Sequence, residues 1–162
     1  MSERIYHDFE PVYDENSRIL ILGTMPSVLS RQQQFYYGNP QNRFWAVIAT
    51  VTESEMPQSI NEKKELLLKN GIAIWDVIHS CEIEGSSDVS IKGEVVNDID
   101  RILKAAPIVR VYANGAKAYE LYMKHCYKKT GREIIKLPST SPANAAWGLE
   151  RLIDTWQRTT KL

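Results

Sequence analysis

At 162 residues the chain is the size of one domain, read here as 1–162, and long enough to bury a sizeable core without disulfide or metal staples. Twenty basic and twenty acidic side chains give zero formal net charge, which argues against a protein held to nucleic acid by bulk electrostatics while allowing a few local contacts. The two cysteines, Cys81 and Cys126, lack C-x-x-C spacing and the three histidines are scattered, so reduced thiols, no metal and no cofactor are expected.

In chain order, the opening MSERIYHDFEPVYDENS is a polar lead-in without the apolar stretch of a signal peptide. No apolar run of about 18 residues follows anywhere, so a cytoplasmic protein without membrane contact is expected. Arg18 to Thr24 (RILILGT) reads as a buried strand stopping in a structured loop, GTMPS. The segment Met25 to Gln41 is too long and too rich in Gln, Tyr, Gly and Pro for a plain connector, and loops of that kind are often functional. Asn42 can cap the next helix, whose Phe44, Trp45, Val47 and Ile48 give it an apolar face.

A helix from about Ser59 to Asn70 stops at Gly71, and Ile72 to Ile78 (IAIWDVI) is a second buried strand. The stretch HSCEIEGSSDVSIKGE reads as a polar loop. Val95, Ile99, Ile102, Leu103 and Ala106 then recur at helical spacing before Pro107. Ile108 to Ala113 is a third strand, and Asn114-Gly115 opens a helix carrying Ala118, Leu121, Tyr122 and Cys126. Glu133 to Leu137 is a fourth strand, and PSTSPAN leads to a last helix with Ala145, Leu149, Leu152, Ile153 and Trp156 on one face.

Strand and helix alternate four times, which predicts a three-layer α/β/α domain with a four-stranded parallel sheet. Ligands of such sheets bind outside the carboxyl ends of the strands, so four loops meet at one edge: GTMPS with its extension, the loop after IWDVI, ANG, and LPSTSPAN. Dinucleotide, P-loop, hydrolase-elbow and zincin motifs are absent. What these loops offer is amides, hydroxyls, helix-start N–H groups and the rings of YYGNPQNRFW, an inventory suited to a nucleobase with its phosphates.

GTMPS after the first strand, GNPQNRFW and LPSTSPANA together resemble the uracil-DNA glycosylase superfamily, nearest its hypoxanthine-DNA glycosylase branch. The resemblance runs from about Arg18 to the last helix. It implies a monofunctional glycosylase that flips a deaminated base out of DNA and lets water attack C1′; hypoxanthine, uracil and xanthine are the candidate bases, and a monomer is expected. It implies a catalytic role for Asn39, which on composition alone is equally a turn-former. Phe44 takes the family's stacking position, although its spacing also suits plain core. Thr24, Met25 and Pro26 border the base, and Asp76 either reads it or caps its loop.

Ser27, Ser139, Thr140, Ser141 and Asn144 are assigned to DNA, where spacing alone would allow simple helix capping. Tyr36 and Tyr37 either line the pocket mouth or anchor their loop. Lys124, Lys128, Lys129, Arg132 and Lys136 form a local basic patch that is either a backbone contact or a solvated face. Two family positions that usually carry Asp or Asn, and His or Asn, are here Met25 and Leu137. That departure supports the competing reading, a non-catalytic nucleic-acid or nucleotide-binding module on the same fold.

Overall fold

In the computed structural model, which describes residues 3–162, the chain begins with β1 (Glu3–Tyr6), β2 (Ile19–Gly23), a short α1 (Val28–Gln33), α2 (Phe44–Val51) and α3 (Ile60–Lys69). It continues through β3 (Ile72–Asp76), β4 (Ile78–Ile83), β5 (Lys92–Val96), α4 (Asp100–Ala105) and β6 (Arg110–Asn114). It ends with α5 (Ala116–His125), a four-residue α6 (Tyr127–Thr130), β7 (Ile134–Leu137) and α7 (Leu149–Thr160).

The four apolar runs pair as a parallel sheet in the order β3-β2-β6-β7. Every residue of β2 and β3 is buried, as a sheet covered on both faces requires. Ile21 lies in register between Ile74 and Tyr112. From β2 the chain moves outward to β3, and later from β6 outward the other way to β7. Right-handed crossovers therefore put α2 and α3 on one face and α4 and α5 on the other. The reversal leaves a switch point between the carboxyl ends of β2 and β6, at Gly23 and Asn114. Trp156 of α7, fully buried, closes the α2 side: its ring meets Phe44 edge-on and its indole N–H donates to Pro138 O at 2.9 Å.

A second, antiparallel sheet, β1-β4-β5, departs from the sequence reading. Its strands fell within the polar lead-in, the apparent loop His79–Glu94 and the start of the expected helix at Val95. The run read as one strand to Ile78 is broken at Val77, whose N–H donates to Gly23 O. Asn97 holds the break by donating its amide to Asp76 O and Ile78 O. Val95 therefore sits in β5, half exposed, and α4 starts only at Asp100. Ala145 likewise lies in turns that precede α7 rather than in the helix. Val12 exchanges two hydrogen bonds with Ile74, so the N-terminal segment covers the outer edge of β3.

Candidate active site

The carboxyl ends of all four parallel strands open on a cavity of about 470 Å³, within the roughly 300–1,000 Å³ usual for small-molecule sites. Gly23, Asp76, Asn114 and Ser139 enter it from the strand ends, and the turn Tyr36–Asn39 enters from the long loop. Thr24, Met25, Pro26, Ser27, Thr140 and Ser141, expected from sequence, also line it. Phe44 and Asn144 do not.

The reason for Phe44 is the ring beside it. Tyr37 lies face to face on Phe44, centroids 4.0 Å apart and planes 16° from parallel, and Phe44 is 0% exposed. The aromatic surface offered to the cavity is therefore Tyr37, and Phe44 backs it. Tyr37 holds a left-handed φ of 53°, uncommon for a bulky residue and worth about 1–3 kcal/mol of strain. The stack and a hydrogen bond from Asn114 Nδ2 to its hydroxyl at 3.3 Å keep it there. Burial, then the nearby Asp76, push the Tyr37 phenol well above its usual range, with the Asn114 bond working against them. Tyr36, by contrast, anchors the loop: its hydroxyl donates to Glu10 O, and its carbonyl accepts from the Trp45 indole.

Asn39 sits in a turn pinned from two sides. Gly38 N–H donates to Ser30 Oγ at 2.8 Å, and Asn39 O accepts from Asn42 N–H. The Asn39 side-chain oxygen accepts from Gln41 N–H at 2.9 Å, which fixes the amide orientation. Its Nδ2 has no partner among the described residues, so the atom Asn39 can offer a ligand is a donor. The turn-former role and a ligand-facing amide thus coexist in one side chain.

Behind this turn runs a buried amide and hydroxyl network absent from the sequence reading. Asn114 Nδ2 donates to Thr140 Oγ1 at 3.0 Å, Thr140 N–H returns a bond to Asn114 Oδ1, and the Thr140 hydroxyl donates to Asn42 Oδ1 at 2.8 Å. Asn42 Oδ1 also takes the Phe44 N–H at the start of α2, although Arg43 and not Asn42 occupies the N-cap position itself. Arg43 grips the loop after β7, donating to the carbonyls of Thr140, Ser141, Asn144 and Trp147. The clue in the sequence was the N-R pair of GNPQNRFW, adjacent to a helix start.

These contacts revise three assignments. Thr140 is fully buried with its hydroxyl bonded in both directions, so it positions the loop instead of meeting a phosphate. Asn144 turns its amide onto Ser139 O, and Ser27 caps α1, accepting from Ser30 N–H and donating to Ser30 Oγ. Ser139 and Ser141 accept only local backbone N–H groups, from Ser141 and Ala143 respectively, which leaves both hydroxyl hydrogens to donate.

Asp76 ends β3 with its carboxylate against Gly23, where an added Cβ would come within 2.4 Å of Oδ1. The glycine is needed for that close approach. Met25 faces the cavity without a polar group, and Leu137 is buried in the core. Four of the five basic residues have partners of their own: Lys124 pairs with Glu94, Lys129 with Asp98, Arg132 donates to Ile108 O, and Lys136 lies over the Tyr119 ring. None lines the cavity. Among the described residues there is no cluster of three or more metal-binding side chains and no helix long and apolar enough to cross a membrane. Both cysteines are buried, and burial pushes the Cys126 thiol up to about 11.

A ring platform, the ligand-facing Asn39 amide and a buried carboxylate meet at the switch point of an α/β sheet, a set of groups complementary to a planar heterocycle. The family model of the Uracil DNA glycosylase superfamily matches residues 10–160, and the chain belongs to that superfamily. It is 38% identical over 149 residues to a hypoxanthine DNA glycosylase of Methanosarcina acetivorans, covering 91% of this chain and 93% of that one. A hypoxanthine DNA glycosylase of Methanosarcina barkeri is 37% identical over 139 residues, 84% and 86% of the two chains. A Methanosarcina acetivorans protein solved by solution NMR, assigned by name to the uracil DNA glycosylases, superposes with a TM-score of 0.77 at 36% identity, over 90% of this chain and 91% of that one.

Proposed function

We propose that this protein is a DNA glycosylase that excises a deaminated base, hypoxanthine foremost, from DNA by hydrolysis. The observation that carries the reading is the convergence of Tyr37, Asn39 and Asp76 on one cavity, in a chain whose full-length relatives are hypoxanthine DNA glycosylases. A base within the duplex is out of reach, so it must be extruded at a cost of a few kcal/mol. Stacking on Tyr37 returns about 1–3 kcal/mol. Deamination of adenine replaces an amine by a carbonyl and leaves a ring N–H beside it. The Asn39 amide N–H complements the carbonyl, and the Asp76 carboxylate complements the ring N–H.

In the reaction the glycosidic C1′–N bond breaks with its electron pair leaving on the base, and water adds to C1′ and loses a proton. Asn39 Nδ2 donates to the departing base as charge builds there. Met25 offers no acceptor to the incoming water, so the rate rests on positioning and on stabilising the leaving group, which suits a sugar with strong oxocarbenium character. The Ser139 and Ser141 hydroxyls donate to the phosphates flanking the extruded nucleotide. The protein acts as a monomer on this reading, without metal or cofactor.

Single-turnover base release from duplexes carrying one deoxyinosine or one deoxyuridine, developed with alkali, tests it. Wild type is expected to cut at inosine and Asn39→Ala to lose about 10- to 100-fold or more at unchanged duplex affinity. Folded wild type that binds the duplex and releases no base would transfer the case to the non-catalytic binding module, with Met25 and Leu137 as its physical cause.

A further inference from the structure

Asp76 does not stand alone. His7, just past β1, donates from Nε2 to Asp76 Oδ2 at 2.8 Å, and the two residues are 5% and 4% exposed. The His7 ring packs on Phe9 and Tyr36, with centroids 4.5 and 5.6 Å away. Its Nδ1 is buried without a partner, so the ring hydrogen belongs on Nε2, where an acceptor waits. His7 N–H donates to His79 O at 2.7 Å, extending the β1–β4 pairing and fixing the ring's height over the β3 end.

Asp76 therefore has one oxygen held and one free. Oδ1 has no hydrogen-bond partner among the described residues, and Asp76 lines the cavity. A pair serving stability alone would be poorly built, because a buried carboxylate with an open oxygen costs desolvation that an apolar pair would avoid. With Asp76 at the cavity wall, that oxygen can accept from an N–H donor.

We infer that His7 is a positioning residue for base recognition, locking the Asp76 carboxylate so that Oδ1 accepts the ring N–H next to the carbonyl of a deaminated base. The inference rests on the glycosylase reading above and adds a residue outside the 10–160 span of the family match. Adenine and cytosine present a bare ring nitrogen at that place and set lone pair against lone pair. Guanine carries the same N1–H, so this contact separates hypoxanthine from adenine and leaves guanine to be excluded by the shape of the cavity.

The test compares single-turnover release of hypoxanthine with that of the unsubstituted purine of deoxynebularine, which has a bare N1, no carbonyl and no added bulk. His7→Phe keeps the packing and removes the donor, while His7→Gln keeps a donor at similar reach. His7→Phe is expected to lose about 10- to 100-fold on inosine with the deoxynebularine rate unchanged, and His7→Gln to recover most of the loss. Equal losses on both substrates, or none on either, would overturn the inference. Equilibrium binding of free hypoxanthine to the same proteins gives a second readout. If wild type releases no base at all, the glycosylase reading fails, while weaker hypoxanthine binding by His7→Phe but not His7→Gln would still uphold the positioning role; equal binding by all three proteins would end it.

Discussion

Replacing Thr140 by valine removes one hydroxyl and almost no volume. That hydroxyl donates to Asn42 Oδ1 at 2.8 Å and accepts from Asn114 Nδ2 at 3.0 Å, so two buried bonds vanish together. Neither amide is fully orphaned, because Asn42 Oδ1 keeps the Phe44 N–H and Asn114 Nδ2 keeps its longer bond to Tyr37. Two neutral hydrogen bonds at about 1 kcal/mol each put the loss near 2 kcal/mol. For a chain of this size that lowers the melting temperature by about 4–8 °C. Thr140→Ser, which retains the hydroxyl, should lose less than half as much. Differential scanning calorimetry of the three proteins decides the matter. A drop under about 1 °C in the valine variant would mean that the network does not hold the loop after β7. Base release well below the melting temperature should fall less than about tenfold, since the Thr140 hydroxyl is taken up by the network.

Three further outcomes are expected. Tyr37→Ala removes the surface on which the base lies and should lower kcat/KM for inosine duplexes by about 10- to 100-fold, whereas Tyr37→Phe keeps the ring and should cost less than about threefold; equal activity in the alanine variant would return the platform to Phe44. Arg43→Lys cannot span four carbonyls with one ammonium, so urea denaturation should show about 2–3 kcal/mol lost, with the midpoint moved and the slope unchanged. The phenols of Tyr36 and Tyr37 are both raised chiefly by burial, next by Asp76, so the unfolded chain releases those protons first. Stability from these groups is complete below about pH 10 and falls as pH rises beyond it, and phenolate absorbance should show at least two of the eight tyrosines titrating only with loss of ellipticity.

The parallel sheet was legible because each of its strands is a short, nearly continuous apolar run, a pattern with few alternatives once both faces are covered. The antiparallel sheet was not. ERIY, IHSCEI and KGEVV put exposed Glu, His and Lys among their apolar residues, with one buried position in β1, four in β4 and none in β5, and β4 and β5 are further disturbed by shifts of register near Ser80. Their pairing is decided by partners distant in sequence, which local patterns do not report. At the site, motif spacing brought Asn39, Asp76 and the serines to one edge correctly. It failed where conformation decides: nothing in YYGN announces that the second tyrosine takes a left-handed φ and covers Phe44, and nothing in the lead-in marks His7 as the partner of Asp76.

The pairing of β1 with β4 has a consequence for how the protein comes to be made. Residues 3–6 are synthesised well ahead of Ser80 to Ile83, the strand they join. Until then the edge of β1 is open and Asp76 does not exist for His7 to meet. Long-range pairing of this kind closes slowly, because loop entropy must be overcome before any contact rewards it. The β2–β3 pair, closed over a shorter stretch, is expected to form ahead of the β1–β4 pair, so the nascent domain would acquire its floor before its base-reading pair. Completion of the cavity is thus a late event of folding, tied to the docking of β1 on β4.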